Sequence, residues 1–187
     1  MRIISGKFKG RKIIQPIDKK TRPLKDLTKE SIFNIINHSN SFKSKIENSR
    51  VLDLFSGVGS FGLECLSRNA SYVVFLENYE KALNILKKNI FILKCSEKVK
   101  IYELDIFNKK NFSKVNHKFE IIFIDPPFKE KKLYSIVENI FELKLLKKNG
   151  IMIIHRHKNE TDNLPMNFKI LLKKTYGISK IIFGNYS

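Results

Sequence analysis

Cysteine is scarce in this sequence: Cys65 and Cys95 are the only two among 187 residues. Two thiols cannot build a four-thiolate zinc site, and they give no sign of an oxidising compartment. Acidic residues are also few, 18 against 36 Lys and Arg, which leaves a formal net charge of +18. No apolar run approaches the ~18–20 residues that a membrane helix needs. The opening Met1-Arg2-Ile3-Ile4-Ser5-Gly6 lacks the apolar stretch of a secretory signal. There is no internal repeat and no low-complexity linker. These absences leave a soluble, cytoplasmic protein that touches no membrane. What is present is enough for a core: 42% of residues are hydrophobic and 29% charged, which excludes a wholly disordered chain. The length suits one domain with a small appendage, able to bury roughly 70% of its unfolded surface without disulfide or metal.

The basic excess is unevenly placed. Residues 1–50 hold 13 Lys and Arg against 4 acids, so about a quarter of the chain carries half the surplus. In the remainder, a basic surface is equally well explained by composition drift. Near the start, Arg2, Lys7, Lys9, Arg11, Lys12, Arg22 and Lys25 cluster, and phosphates are the commonest target of such a cluster. No basic amphipathic helix opens the chain, so a membrane surface fits less well.

Periodicity supplies the organisation. Ile3-Ile4 and Ile13-Ile14 flank Gly6-Lys7-Phe8-Lys9-Gly10, a short hairpin with a basic tip. Pro16 and Pro23 punctuate a linker, and apolar residues at helical spacing predict a helix over 25–38. From Arg50 onward, short apolar strands (51–55, 72–76, 99–104, 119–124, 151–154) alternate with helices (60–68, 79–94, 131–146). That alternation predicts an α/β domain with a mostly parallel sheet buried on both faces. The last two strands, 168–172 and 178–183, lie so close in sequence that they must pair antiparallel. The expected division is a basic hairpin-helix extension, 1–39, followed by a Rossmann-like domain, 40–187, acting as a monomer.

Ligands of such a sheet bind outside the carboxyl ends of its strands. After the first core strand stands Gly57-Val58-Gly59-Ser60-Phe61-Gly62, glycines that turn sharply and let backbone approach a ligand. Glu77 follows the second strand, where a carboxylate can accept from both ribose hydroxyls of a nucleoside. Asp105 follows the third, at the height of an adenine edge, and Asp125-Pro126-Pro127-Phe128 follows the fourth. Singly, each has a plain structural explanation as a turn or a cap. Together they form a nucleotide-type site.

Two cofactors compete for it. A dinucleotide such as NAD accounts for the glycines and the acid but not for Asp53, since a pyrophosphate gains nothing from another carboxylate. The cationic methionine end of S-adenosylmethionine (SAM) would welcome one. The Asp125 carboxylate and the Pro126 carbonyl can each accept one N–H of an exocyclic amine, with Phe128 offering a stacking face. Guanine N2, adenine N6, cytosine N4 and a glutamine amide all present such an amine, in RNA, DNA or protein. A non-catalytic RNA-binding protein would share the basic extension but would not need the strand-end motifs.

Asp53 to Gly62 and Asp125 to Phe128 resemble motifs I and IV of class I SAM-dependent N-methyltransferases. Met1 to Arg11, Thr21-Arg22-Pro23 and Glu30 to Ile36 resemble, more narrowly, the RsmD-type family, and the likeness extends to Tyr176-Gly177-Ile178-Ser179. That resemblance implies a seven-stranded sheet with one antiparallel strand, SAM as cofactor, and methylation of guanine N2 in 16S ribosomal RNA, free or within an assembling small subunit. On this reading the cofactor contacts are Asp53, Phe55, Ser56, Gly57, Gly59, Ser60, Glu77, Asp105 and Ile106. Catalysis falls to Asp125, Pro126, Pro127 and Phe128, and no metal is required. One departure is visible: where an acid and a His are expected after the fifth strand, the chain has His155-Arg156-His157. His155 and His157 fall on one side of an extended segment, where a metal pair is conceivable; with no third ligand nearby, the two are expected to be surface or RNA-facing residues.

Overall fold

The computed structural model describes residues 1–15, 24–39 and 42–186. Seven strands form one sheet in the order β3-β2-β1-β4-β5-β7-β6. They are β1 (Arg50–Leu54), β2 (Tyr72–Leu76), β3 (Val99–Tyr102), β4 (Phe119–Ile124), β5 (Leu146–His157), β6 (Phe168–Tyr176) and β7 (Ser179–Tyr186). Neighbours among β1 to β5 pair parallel, and β7 runs antiparallel to both β5 and β6. Helices α1 (Asp26–His38), α2 (Ser60–Ser67), α3 (Glu80–Ile92), α4 (Lys109–Phe112) and α5 (Leu133–Glu142) cover the sheet.

Side chains alternate across each strand, which sorts the core into two clusters. Val51, Val73, Phe75, Ile121, Phe123, Ile151 and Ile153 pack with Phe33 of α1, Phe61 and Leu63 of α2 and Leu86 of α3. Leu52, Leu54, Val74, Ile122, Ile124, Met152 and Ile154 pack with Phe112 of α4 and Ile136, Val137 and Ile140 of α5. Burial on both faces explains the continuous apolar runs of the central strands.

The N-terminal hairpin closes through a single antiparallel bridge, Arg2 to Lys12, and its Ile3 and Ile13 belong to the same core cluster as the sheet. Side chains of the domain hold its backbone. Glu64 of α2 accepts from the N–H groups of Ile4 and Ser5, and Ser67 Oγ accepts from that of Phe8. Asn89 of α3 accepts from the Ile14 N–H, while its amide donates to the Ile14 and Val58 carbonyls. The tip therefore lies against Ser67, the last residue of α2, about 12 Å of helix away from the glycine loop.

Candidate active site

β1, flanked by β2 and β4, is where chain connections turn to opposite sides of the sheet, and open α/β sheets bind their ligands at such a switch point, in the crevice outside the strand ends. Asp53 sits in β1, 1% exposed, on the face that meets α2. Its Oδ2 accepts from the Gly62 N–H at 2.9 Å, in the first turn of α2, where the helix dipole favours an anion. Its Oδ1 is buried with no partner among the described residues. Burial pushes the Asp53 carboxyl well above the usual carboxylate range. The Gly62 N–H opposes this, and the charges of Asp125 and Glu77 add to it. An unpartnered, reluctantly ionised carboxylate oxygen beneath the glycine loop is what a cationic group would relieve.

The loop above it is built for contact through backbone. Phe55 and Gly57 both have positive φ, 58° and 54°. At Gly57 a Cβ would meet nothing within 4 Å, so the loop faces open space there. Ser56 is tied to the Leu76 carbonyl through both N–H and Oγ, which joins the ends of β1 and β2. Gly59 precedes α2 at φ 84°, and the buried Ser60 Oγ lacks a partner among the described residues. Glu77 holds this loop: one oxygen accepts from the Gly57 N–H at 2.7 Å, the other from Asn78 and Tyr79. A carboxylate has about four lone-pair positions, so three are spent on backbone.

Asp105 is exposed, and one of its oxygens accepts from the Phe107 N–H in a turn. Ile106 beside it is buried. Phe107 packs against Phe55 at 5.7 Å between ring centres, with the Lys132 ammonium over its face. Phe55 belongs to the expected cofactor set and Phe107 does not; only the position of Phe107 after an expected strand end signals it.

Across the crevice, Asp125 leaves the end of β4 with its N–H on the Leu54 carbonyl, so it is anchored to β1. Pro126 is buried, Pro127 exposed and Phe128 half-buried. No donor among the described residues reaches the Pro126 carbonyl, whereas that of Pro127 accepts from Arg156 at 3.1 Å and from Glu130.

His155 is not a surface residue: it is 6% exposed, His157 is half-buried, and Arg156 between them is 1% exposed. All three lie in β5, which continues to His157 because β7 pairs with it throughout this stretch. His155 Nδ1 lies 2.8 Å from Asp125 Oδ1, and its Nε2 lies 2.9 Å from Ser179 Oγ. Arg156 points to the other side, bonded to Asp162 and to the carbonyls of Pro127 and Glu130. His155 and His157 both set their rings edge-on to Phe128, at 5.5 and 5.3 Å. The sequence does mark this segment as departing from pattern, but its charges conceal its burial.

The basic residues do not converge on this crevice. Arg2, Lys7, Lys9, Arg11, Lys12 and Lys25 are all exposed, with Lys7 and Lys9 at the hairpin tip beyond α2. Arg22, in the same expected set, lies outside the described residues.

Sheet order, glycine loop, the acid after β2 and the Asp-Pro-Pro-Phe turn after β4 define a class I methyltransferase. A family model described as "Conserved hypothetical protein 95" matches residues 1–185. "Ribosomal RNA small subunit methyltransferase D" of Haemophilus influenzae is 33% identical over 183 residues, covering 95% of this chain and 90% of that one. A solved structure from the same organism, "putative methylase HI0767", superposes with a TM-score of 0.77 at 32% identity, covering 100% and 98% of the two chains. A more distant one, from a methyltransferase described as complexed with SAH, shares the fold alone, with TM-score 0.65, 16% identity and coverage of 84% and 49%. The chain belongs to the RsmD-type methyltransferase family.

Proposed function

We propose that the protein transfers a methyl group from SAM to the exocyclic N2 amine of a guanine in small-subunit ribosomal RNA. The observation that carries this is the pairing of two acceptors at the end of β4, Asp125 and the Pro126 carbonyl, with the unpartnered Asp53 oxygen at the end of β1. SAM, when bound, supplies an electrophilic methyl on a sulfonium and departs as S-adenosylhomocysteine.

Asp53 and the Gly57–Gly62 loop hold the cationic amino-acid end. Glu77 accepts from ribose with its remaining lone pair while keeping the loop in place. Phe55, Ser56, Ser60, Asp105 and Ile106 complete the cradle. The Asp125 carboxylate and the Pro126 carbonyl each take one N–H of the amine, which directs the nitrogen lone pair at the methyl carbon. The surplus proton on nitrogen leaves through Asp125 to solvent. Phe128 presents a face on which the extruded base stacks, worth ~1–3 kcal/mol. Pro127 fixes the turn that aims its neighbours. Positioning supplies most of the acceleration, since the methyl donor is already activated.

The RNA part of the proposal rests on the relative's name and on charge. Exposed Lys7, Lys9, Arg11 and Lys12 contact phosphates without reading sequence, and exposed Arg2 and Lys25 extend the same footprint. The hairpin tip and the crevice lie at opposite ends of α2, so a substrate touching both must be large, as a folded rRNA or assembling subunit is. Radiolabelled SAM offered in parallel to purified small subunits, naked 16S rRNA and duplex DNA, followed by nucleoside analysis, tests this. Labelled N2-methylguanosine from the subunits is the expected product; labelled N6-methyladenine from DNA with no methylguanosine would overturn the reading.

A further inference from the structure

The last inward position of β5 should carry an aliphatic residue, as Ile151 and Ile153 do on the same face. Instead it carries an imidazole, 6% exposed, with both ring nitrogens engaged. An ionised Asp125 can only accept, so the 2.8 Å contact requires the proton on Nδ1. In neutral His155 that leaves Nε2 bare, and the Ser179 hydroxyl from β7 donates to it at 2.9 Å. Asp125 Oδ1 is thereby fixed, and Oδ2 has no partner among the described residues.

The same imidazole also lies nearly perpendicular to the Phe128 ring, 5.5 Å between centres. One buried ring therefore touches both the carboxylate and the aromatic platform. The nearby cations do not compete for Asp125: Arg156 is bonded to Asp162 on the other side of the strand, and Lys180 is paired with Asp162 at 3.0 Å.

We propose that His155 is a positioning residue for methyl transfer, holding the Asp125 carboxylate by an Nδ1–H donor that Ser179 orients, so that Oδ2 faces the amine. The inference rests on the role given to Asp125 above. Carboxylate χ2 is a soft torsion, so without this bond Asp125 swings between orientations and the acceptor pair with Pro126 is lost for much of the time. A misplacement of about 1 Å in a reacting array can cost ~10²-fold in rate.

The test is single-turnover methyl transfer to small subunits by the wild type, His155→Leu and His155→Asn, with the affinity for S-adenosylhomocysteine measured alongside. His155→Leu is expected to slow the chemical step by roughly 10–100-fold while cofactor affinity stays within about twofold. Asn places Nδ2 where His places Nδ1, so His155→Asn is expected to recover to within about fivefold of wild type. A purely structural role would show no such rescue by the smaller side chain. A His155→Leu rate within about twofold of an active wild type overturns the proposal but leaves the site's reading intact; a wild type that methylates no guanine N2 overturns that reading itself. Should His155→Leu fail to fold, the long-range 1H–15N spectrum of the wild type decides: Nδ1 protonated and Nε2 bare at mildly alkaline pH supports the proposal, and the opposite tautomer refutes it.

Discussion

Replacing Glu64 with Gln tests what fastens the basic segment to the catalytic domain. Glu64 is fully buried in α2, where its two oxygens take the Ile4 N–H at 2.8 Å, the Ser5 N–H at 3.0 Å and Arg68 Nε at 2.9 Å. Lys29 of α1, equally buried, sits 3.6 Å away and also donates to the Arg2 carbonyl. Burial pulls the Lys29 pKa down, and the charges of Glu64 and Asp26 oppose that pull. Glutamine keeps the shape, removes the charge and turns one acceptor into a donor. A stranded buried N–H costs ~1–3 kcal/mol, and breaking one side of a buried ion pair ~3–5 kcal/mol. These overlap rather than add, so the expected loss is about 3–5 kcal/mol, or a Tm lowered by roughly 6–20 °C for a chain of this size. Thermal unfolding followed by circular dichroism at neutral pH measures it. The double variant Glu64→Gln/Lys29→Met, which also removes the stranded ammonium while keeping an acceptor at position 64, should recover part of the loss. A single Glu64→Gln variant melting within about 2 °C of wild type would refute the reasoning.

Asp53→Asn should act in opposite directions on stability and binding. Because burial raises the folded pKa, Asp53 favours the fold fully below its ordinary value of 3.8, and that contribution is lost as pH rises toward the raised one. The amide variant without ligand should therefore melt above wild type at pH 7 and level with it in acid, while binding S-adenosylhomocysteine ~10–100-fold more weakly; calorimetry showing unchanged affinity would remove Asp53 from the site. Glu77→Ala should weaken cofactor binding and also lower Tm by roughly 4–12 °C, since three backbone N–H groups lose a charged acceptor; a change in affinity alone would mean the loop holds itself. Gly6→Ala and Gly10→Ala share a positive φ, 81° and 83°, but only at Gly6 would the new Cβ meet backbone, the Ser67 oxygen at 1.8 Å. Gly10→Ala should cost ~1–2 kcal/mol and Gly6→Ala clearly more, which equal melting shifts would contradict.

The central strands were legible because burial on both faces leaves unbroken apolar runs; β1, β2 and β4 fall within a residue of expectation. Boundaries were lost where left-handed residues other than glycine end the helices. Helix α5 stops at Glu142 rather than 146 because Lys144 turns at φ 51° and the Leu145 N–H reaches back to the Ile140 carbonyl. Lys94 and Asn69 close α3 and α2 in the same way. Strand β5 begins at Leu146, not 151, since Leu146 pairs with Phe119 and the register then shifts across 147–150 before Ile151 pairs with Ile121. The single turn α4, with its polar Lys109-Lys110-Asn111, has no periodicity to detect. Which residues stand at or near strand ends follows from topology alone, which is why the positions of Asp53, Glu77 and Asp125 could be read from the sequence. His155 could not, because its partners Asp125 and Ser179 are 30 and 24 residues away and meet it only through sheet pairing.

The central claim is that Asp125 handles the amine while the β1 and β2 ends handle the cofactor. Asp125→Ala separates the two. In one preparation, single-turnover methyl transfer to small subunits is measured beside calorimetric affinity for S-adenosylhomocysteine. Transfer reduced by at least ~10²-fold, with affinity within about threefold of wild type, is the predicted result. Near-normal transfer, or parallel loss of cofactor binding, would contradict the account.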